Sequence, residues 1–320
     1  MNLSNKFTLI IPTFNRHSYV KRSIDYYVGA PFSVIYLDSS EESIENQNFK
    51  KNIHYIHCPK KGFVKKIHTC LENINTKYVA LCADDDFIPL DSIKFGLKFL
   101  EDNNSFKTVQ GLNVGFLNKF NGEFYYSNNI QSYDANEINF GLIKNAEIFW
   151  QNYRNVLWSL QHRDNLLVSF DILSKKKIIN DNYIEFVIGC IACAQGGIKY
   201  IDKIWNVRER FADDHWAHRH KSIKNFYINS ETRKEFKHFE KIIDNQTIKG
   251  YSKHCLKNYL KFTVLDIAKQ IFKQLLLNFH LIQKYPKTNT NSNLDELVRL
   301  EFKKYPHLKN IKKILEQEYY

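Results

Sequence analysis

The chain has 320 residues, 43% of them hydrophobic and 25% charged, enough to bury the core of one or two domains. A net charge of +12 favours an anionic partner, whether nucleic acid, an acidic membrane surface or a phosphorylated substrate, and does not choose among them. Six scattered cysteines exclude a dense disulfide scaffold, and the first apolar run, Phe7 to Ile11, is too short for a signal segment or a membrane span, so a cytosolic protein with reduced, buried thiols is expected.

The first third alternates strand-like and helix-like segments, the pattern of a sheet with crossover helices. Phe7 to Ile11 reads as a strand ended by Pro12, and His17 to Val28 as a helix. Phe32 to Leu37 is a second strand, running into Asp38-Ser39-Ser40, and Ile53 to His57 a third. Phe63 to Asn73 has helical spacing, and Tyr78 to Cys82 is a fourth strand that leads into Asp84-Asp85-Asp86. Four short strands that each deliver polar residues at their carboxyl ends place those residues on one rim of a mostly parallel sheet, where open α/β sheets bind ligands.

The middle is less regular. Val109 to Val114 reads as a strand and Asn145 to Leu160 as a helix carrying Trp150 and Trp158. Asp181 is placed to cap a helix whose apolar face is Ile184, Val187, Ile188 and Ile191; Gly196-Gly197 ends it, and runs at 198–201 and 204–207 follow as strands. Cys190 and Cys193 fall inside that helical pattern and read as packing residues. From Leu256 to Tyr285 apolar residues interleave with lysines, an amphipathic pattern, and 288–293 reads as a short linker before a last helix.

Three consecutive aspartates after a buried strand repel one another unless something neutralises them. A hard divalent cation, Mg²⁺ or Mn²⁺, does so with carboxylate oxygens and keeps positions open for diphosphate oxygens. Pro12-Thr13-Phe14-Asn15-Arg16 after the first strand, Asp38 after the second and the aspartates after the fourth together resemble the family 2-type glycosyltransferases of GT-A fold, in particular those that build bacterial surface polysaccharides. The likeness covers roughly residues 6 to 215.

That resemblance implies Pro12, Thr13, Asn15 and Arg16 around the nucleotide, Asp38 near its base, and Asp84 and Asp86 on the metal, with Asp85 facing the sugar or its ribose. Lys65, within the basic run just before and inside the helical segment Phe63 to Asn73, is a candidate for the diphosphate. The family also places a base about one hundred residues beyond the aspartates at the start of a helix, which falls on Glu185, with Asp181 as rival. A late histidine completing the metal site falls on His215, with His218 behind it. Trp158 to Asp164 could stack on an acceptor sugar or serve as core beside a surface turn.

The expectation is therefore an inverting, metal-dependent transferase that moves sugar from a nucleotide-diphosphate donor, a UDP-sugar, to a glycan or lipid-linked glycan acceptor. Residues 1–245 form its catalytic domain, with a nucleotide half to about 106 and an acceptor half to 245, and 246–320 form a helical extension suited to peripheral contact with an anionic membrane. A retaining enzyme or a nucleotidyltransferase could share the aspartates. A basic nucleic-acid-binding protein is the reading from another class, and no zinc-finger or RNP pattern supports it.

Overall fold

β-Branched and aromatic runs form the first four strands: β1 (Phe7–Thr13), β2 (Ser33–Asp38), β3 (Ile53–His57) and β4 (Tyr78–Leu81), alternating with α1 (His17–Tyr27), α2 (Phe63–Asn73) and, after β4, α3 (Leu90–Asp102). The computed structural model describes residues 3–44, 49–118, 124–126, 137–209, 222–227, 229–260, 272, 307–315 and 317. The four strands pair in parallel in the order β3-β2-β1-β4. Alternate side chains face opposite layers, as the two-residue strand period requires: Ile10, Val79 and Leu81 on one side, Leu9, Ile11 and Ala80 on the other. Ile67 and Leu71 of α2 cover the first layer. Val20 and Tyr27 of α1 and Ile93 and Leu97 of α3 cover the second.

The second half supplies β5 (Phe106–Asn118), β6 (Phe124–Tyr126), β7 (Glu137–Ile138), α4 (Leu142–Gln151), β8 (Leu160–His162), α5 (Arg163–Ser174), α6 (Asn182–Gln195) and β9 (Gly197–Glu209). They extend one sheet to the order β3-β2-β1-β4-β8-β5-β9-β7, with β6 on β5. β8 runs antiparallel to both neighbours while β5 and β9 pair in parallel. This α/β architecture is the GT-A arrangement expected. The first four strands are all parallel; the part of the sheet from β5 onward is mixed.

Three local expectations change. The helix expected over 145–160 spans 142–151, because the chain leaves it at Asn152; Trp158 lies beyond it, buried, its carbonyl accepting from Trp205 Nε1 at 2.6 Å. The two strands expected at 198–201 and 204–207 are one. Polar Asp202-Lys203, which breaks the apolar pattern, is an irregularity within β9, where the register to β5 shifts between Gln110 and Leu112. Gly111 sits opposite: a Cβ there would stand 2.4 Å from the Lys203 carbonyl. Asp181 occupies the cap position of α6 without a capping hydrogen bond from its side chain, and Asn180 Oδ1 instead accepts from the Asn182 backbone N–H.

Beyond the sheet, α7 (Ser230–Gln246) and α8 (Tyr251–Leu260) pack on α4, α5 and α6 through Phe236, Phe239, Tyr251 and Cys255. All six cysteines are free and buried, as expected, and Cys190 and Cys193 are packing residues of α6. The helix His307–Leu315 returns to the catalytic sheet, where Leu308 and Ile311 close a separate cluster with Phe87, Val114, Phe116, Ile204 and Val207. Residues 288–293 and most of the lysine-rich stretch to Tyr285 lie outside the described residues. Among the described residues no helix is long and apolar enough to cross a membrane.

Ile311 is fully buried in that cluster. Ile311→Ala is expected to lower unfolding free energy by about 2–5 kcal/mol, read by denaturant titration. Lys313→Ala, on the exposed side of the same helix, is expected to stay within about 0.5 kcal/mol.

Candidate active site

β4 ends between β1 and β8, and the chain then makes a tight turn in which the Asp86 N–H donates to the Ala83 carbonyl at 3.1 Å. The three aspartates of this turn are 3%, 8% and 4% exposed, so their charges need partners from other elements. Asp84 accepts from Thr13 Oγ1 at 2.6 Å and Arg16 Nη1 at 2.8 Å, and Asp85 from Arg16 Nη2 at 2.9 Å. Asp86 accepts from Arg208 Nε at 3.2 Å and from the Glu209 backbone N–H at 3.0 Å. The β1 turn thus holds the first two carboxylates and the end of β9 the third.

Arg22 completes the frame. Its Nη2 donates to the Asp85 carbonyl at 3.1 Å and to Glu209 Oε2 at 2.7 Å, and Tyr19 lies beneath both Arg16 and Arg22, 4.1 and 4.8 Å from its ring centre. Phe87 and Val207 exchange two backbone hydrogen bonds of 3.0 and 2.8 Å, which pins Asp86 beside Arg208. Asp84, Asp85, Asp86 and Glu209 therefore share three guanidiniums, those of Arg16, Arg22 and Arg208. Burial, with Asp85 repelling, pushes Asp84 up to about 6 against the pull of Arg16. It pushes Asp86 up to about 8 against the pull of Arg208. Uncompensated charge on hard carboxylate oxygens fits a divalent cation by its chemistry, with Asp84 and Asp86 to hold it. Among the described residues no group of three or more His, Cys, Asp or Glu side chains is arranged as a metal site, and His215 and His218 lie outside the described residues.

A cleft of about 680 Å³ opens at the carboxyl ends of β1 and β2, lined by Phe14, Asn15, His17, Ser39, Ser40, Glu41, Glu42 and Lys60, a size that suits a small-molecule ligand. Register pairs Pro12 with Leu37 and Thr13 with Asp38. Asn15 and Lys60, both lining the cleft, hold left-handed φ of 53° and 63°, and the Asn15 N–H donates to Ser40 Oγ at 2.7 Å. Side chains other than glycine in that region cost energy and concentrate at functional sites.

Asp38 is fully buried. It accepts from the Ser40 backbone N–H at 2.9 Å and from the Ser40 and Tyr55 hydroxyls, with His17 Nε2 at 3.2 Å. Burial opposes its charge, but those hydrogen bonds outweigh it and hold Asp38 below the usual carboxylate range.

Lys65, the expected diphosphate lysine, is exposed, and it is the adjacent Lys66 that turns into the site. Its Nζ donates to the Thr13 carbonyl at 2.6 Å and to Ser39 Oγ at 3.0 Å. Consecutive helical residues stand about 100° apart, so only one of the pair faces the sheet. Burial lowers the Lys66 ammonium to about 8.

Glu185 stands in the first turn of α6, near enough to Arg208 for their charges to interact. Tyr153 Oη donates to its Oε2 at 2.8 Å and Asn155 Nδ2 to its Oε1 at 2.6 Å. Burial raises its pKa, while those donors and the Arg208 charge oppose the rise. Arg208, itself held protonated by Asp86, Asp85 and Glu185, links the aspartate turn to this carboxylate. Tyr153 and Asn155 lie in an irregular stretch with no motif to mark them. Arg22 left a readable sign, since it falls with Val20, Ser23 and Tyr27 on the buried face of α1, and an arginine there requires a carboxylate.

Residues 8–158 match the model of Glycosyl transferase family 2. No curated protein sequence matches the chain. Among solved structures, S. aureus TarS residues 1–349 in complex with UDP-GlcNAc aligns with a TM-score of 0.56 at 16% identity, covering 80% of this chain and 71% of that one. The same fragment in complex with UDP aligns at 0.47 and 13% identity, covering 84% and 91%. Residues 8–158 are thus similar to the family 2 glycosyltransferases, and the sheet that carries them has the GT-A fold.

Proposed function

We propose that the enzyme transfers a sugar, with inversion, from a nucleotide-diphosphate donor of the UDP-sugar kind to a hydroxyl of a surface glycan. The observation that carries the reading is the convergence of the aspartate turn, Arg16 and Arg208 with Glu185 in the first turn of α6. A solved structure of this fold holds UDP-GlcNAc, which supports the donor class. Residues 1–245 serve as the catalytic domain and 246–320 as its extension. The cleft beside Asn15, Ser40 and Asp38 takes the nucleotide, with Pro12 and Thr13 as its β1 wall.

In this reading the Glu185 carboxylate takes the proton of the acceptor hydroxyl as that oxygen bonds to the anomeric carbon and the bond to the diphosphate oxygen breaks on the opposite face. Tyr153 and Asn155 fix the carboxylate so that a lone pair points at the acceptor. Arg208 and Arg16 stand where negative charge grows on the leaving diphosphate, and fixed cations in a dry site stabilise that charge without reorganising. A divalent cation held by Asp84 and Asp86 would add Lewis-acid stabilisation of the same leaving group. His215 is proposed as its further ligand and Asp85 as the partner of the donor sugar or ribose. Docking near a membrane suits a lipid-linked acceptor.

Asp86→Ala is expected to lower kcat at least about a hundredfold in a donor-turnover assay, and unchanged turnover would remove the aspartate turn from the chemistry. Chelation followed by Mn²⁺ addition is expected to abolish and restore turnover. Full activity in chelator would leave Arg16 and Arg208 as the sole neutralising charges.

The base must be ionised, so activity falls as pH drops through its pKa. Because burial raises that pKa, the acidic limb of kcat/KM is expected above the 4.5 of an ordinary glutamate. Tyr153→Phe removes a hydrogen bond to the ionised form and is expected to move the limb to still higher pH. A limb that stays in place would mean that another group takes the proton.

A further inference from the structure

Outside the site, the described residues of the acceptor half carry a cationic face. On α7 the exposed residues Lys234, Lys237, His238 and Lys241 recur at three- and four-residue spacing, which lines them along one side of the helix. The exposed run Lys175, Lys176 and Lys177, at the end of α5, adjoins them, since Lys176 Nζ lies 3.1 Å from His238 Nδ1.

The nearby acids are committed elsewhere. Asp171 pairs with Lys175 at 2.8 Å and Glu240 with Lys253 at 2.8 Å, while Glu235 accepts from the backbone N–H groups of Ile179 and Asn180. Glu231 stands at the N-terminal end of the stripe. Among the described residues Lys177, Lys234, Lys237 and Lys241 take part in no ion pair.

Ile179 stands beside these lysines, and Tyr227 is exposed just before α7. Ile179 is 66% exposed two residues after the lysine run, and Tyr227, 51% exposed, is tied to the first turn of α7 by Arg233, whose Nη1 donates to the Tyr227 carbonyl at 2.7 Å. Lysines around exposed apolar residues match the interface of an anionic bilayer: ammonium groups meet lipid phosphates while the apolar tips enter the acyl boundary. A soluble polyanion would use the lysines but gain nothing from Ile179.

The face also borders the chemistry. Glu235 of α7 clamps Ile179 and Asn180, and α6 begins at Asn182 with Glu185 in its first turn.

We propose that the surface formed by Lys176, Lys177, Ile179, Lys234, Lys237 and Lys241 docks the enzyme on an anionic phospholipid bilayer and turns the Glu185 rim toward acceptors anchored there. The orientation of the acceptor rests on the transferase reading above; the lipid contact does not. The test is co-sedimentation of the full chain with vesicles of equimolar phosphatidylcholine and phosphatidylglycerol, against phosphatidylcholine alone.

Wild type is expected to bind the anionic vesicles, weakening with added salt. The variant K176E/K177E/K237E/K241E is expected to lose at least about tenfold in partitioning, and Ile179→Asp to lose binding with no change in melting temperature. Donor hydrolysis in solution is expected to be unaltered in both. Equal binding by the charge variant, equal binding to neutral vesicles, or retention only on an acidic oligosaccharide or oligonucleotide would overturn the proposal. Vesicle binding is read without turnover, so loss of activity in Asp86→Ala and vesicle binding succeed or fail separately.

Discussion

Four buried carboxylates held by three guanidiniums are the constraint around which this protein is arranged. Asp84, Asp85, Asp86 and Glu209 could not be desolvated together without Arg16, Arg22 and Arg208, and those cations come from the β1 turn, α1 and the end of β9. The parallel pairing of β1 with β4 brings Thr13 and Arg16 to the turn, and the Phe87–Val207 bridge brings Arg208. Removing any one cation leaves a buried charge exposed to its neighbours. The same imbalance that makes the turn costly in the folded chain is what the proposed cation and diphosphate sites would relieve.

The second consequence is linkage across the sheet. Arg208 answers both to Asp86 and to Glu185, so the aspartate turn and the proposed base share one cation although ninety-nine residues separate Asp86 from Glu185. Behind the turn, Phe87 and Val207 are buried by Leu308 and Ile311 of the helix 307–315. The strand ends beside the aspartate turn are therefore braced by residues far along the chain, which gives part of the expected extension a packing role.

Much of this was legible in the order of residues. Short apolar runs at Phe7, Phe32, Ile53 and Tyr78 marked strands because a buried sheet takes such runs, and the polar residues at their ends marked the rim. The aspartates were legible because three adjacent carboxylates have few inexpensive explanations. What escaped was set by tertiary contacts. Lys65 and Lys66 are indistinguishable until the helix phase against β1 is known. Trp158 shares helical spacing with Trp150 but pairs with Trp205 across the sheet. The interruption at Asp202-Lys203 resembled a loop, and only Gly111 opposite allows it to be absorbed within one strand. Tyr153 and Asn155 sit in an irregular stretch where no period exists to single them out.

Whether the aspartate turn and the adjoining cleft form a nucleotide-diphosphate site is decided by thermal shift against a panel of nucleoside diphosphates and their sugars with and without Mn²⁺. A ligand bound only by the native state raises the melting temperature in proportion to its saturation. A saturable rise is expected with one nucleoside diphosphate, larger with its sugar conjugate and larger again with Mn²⁺. No rise with any member of the panel in the presence of Mn²⁺, from a folded protein, would contradict it.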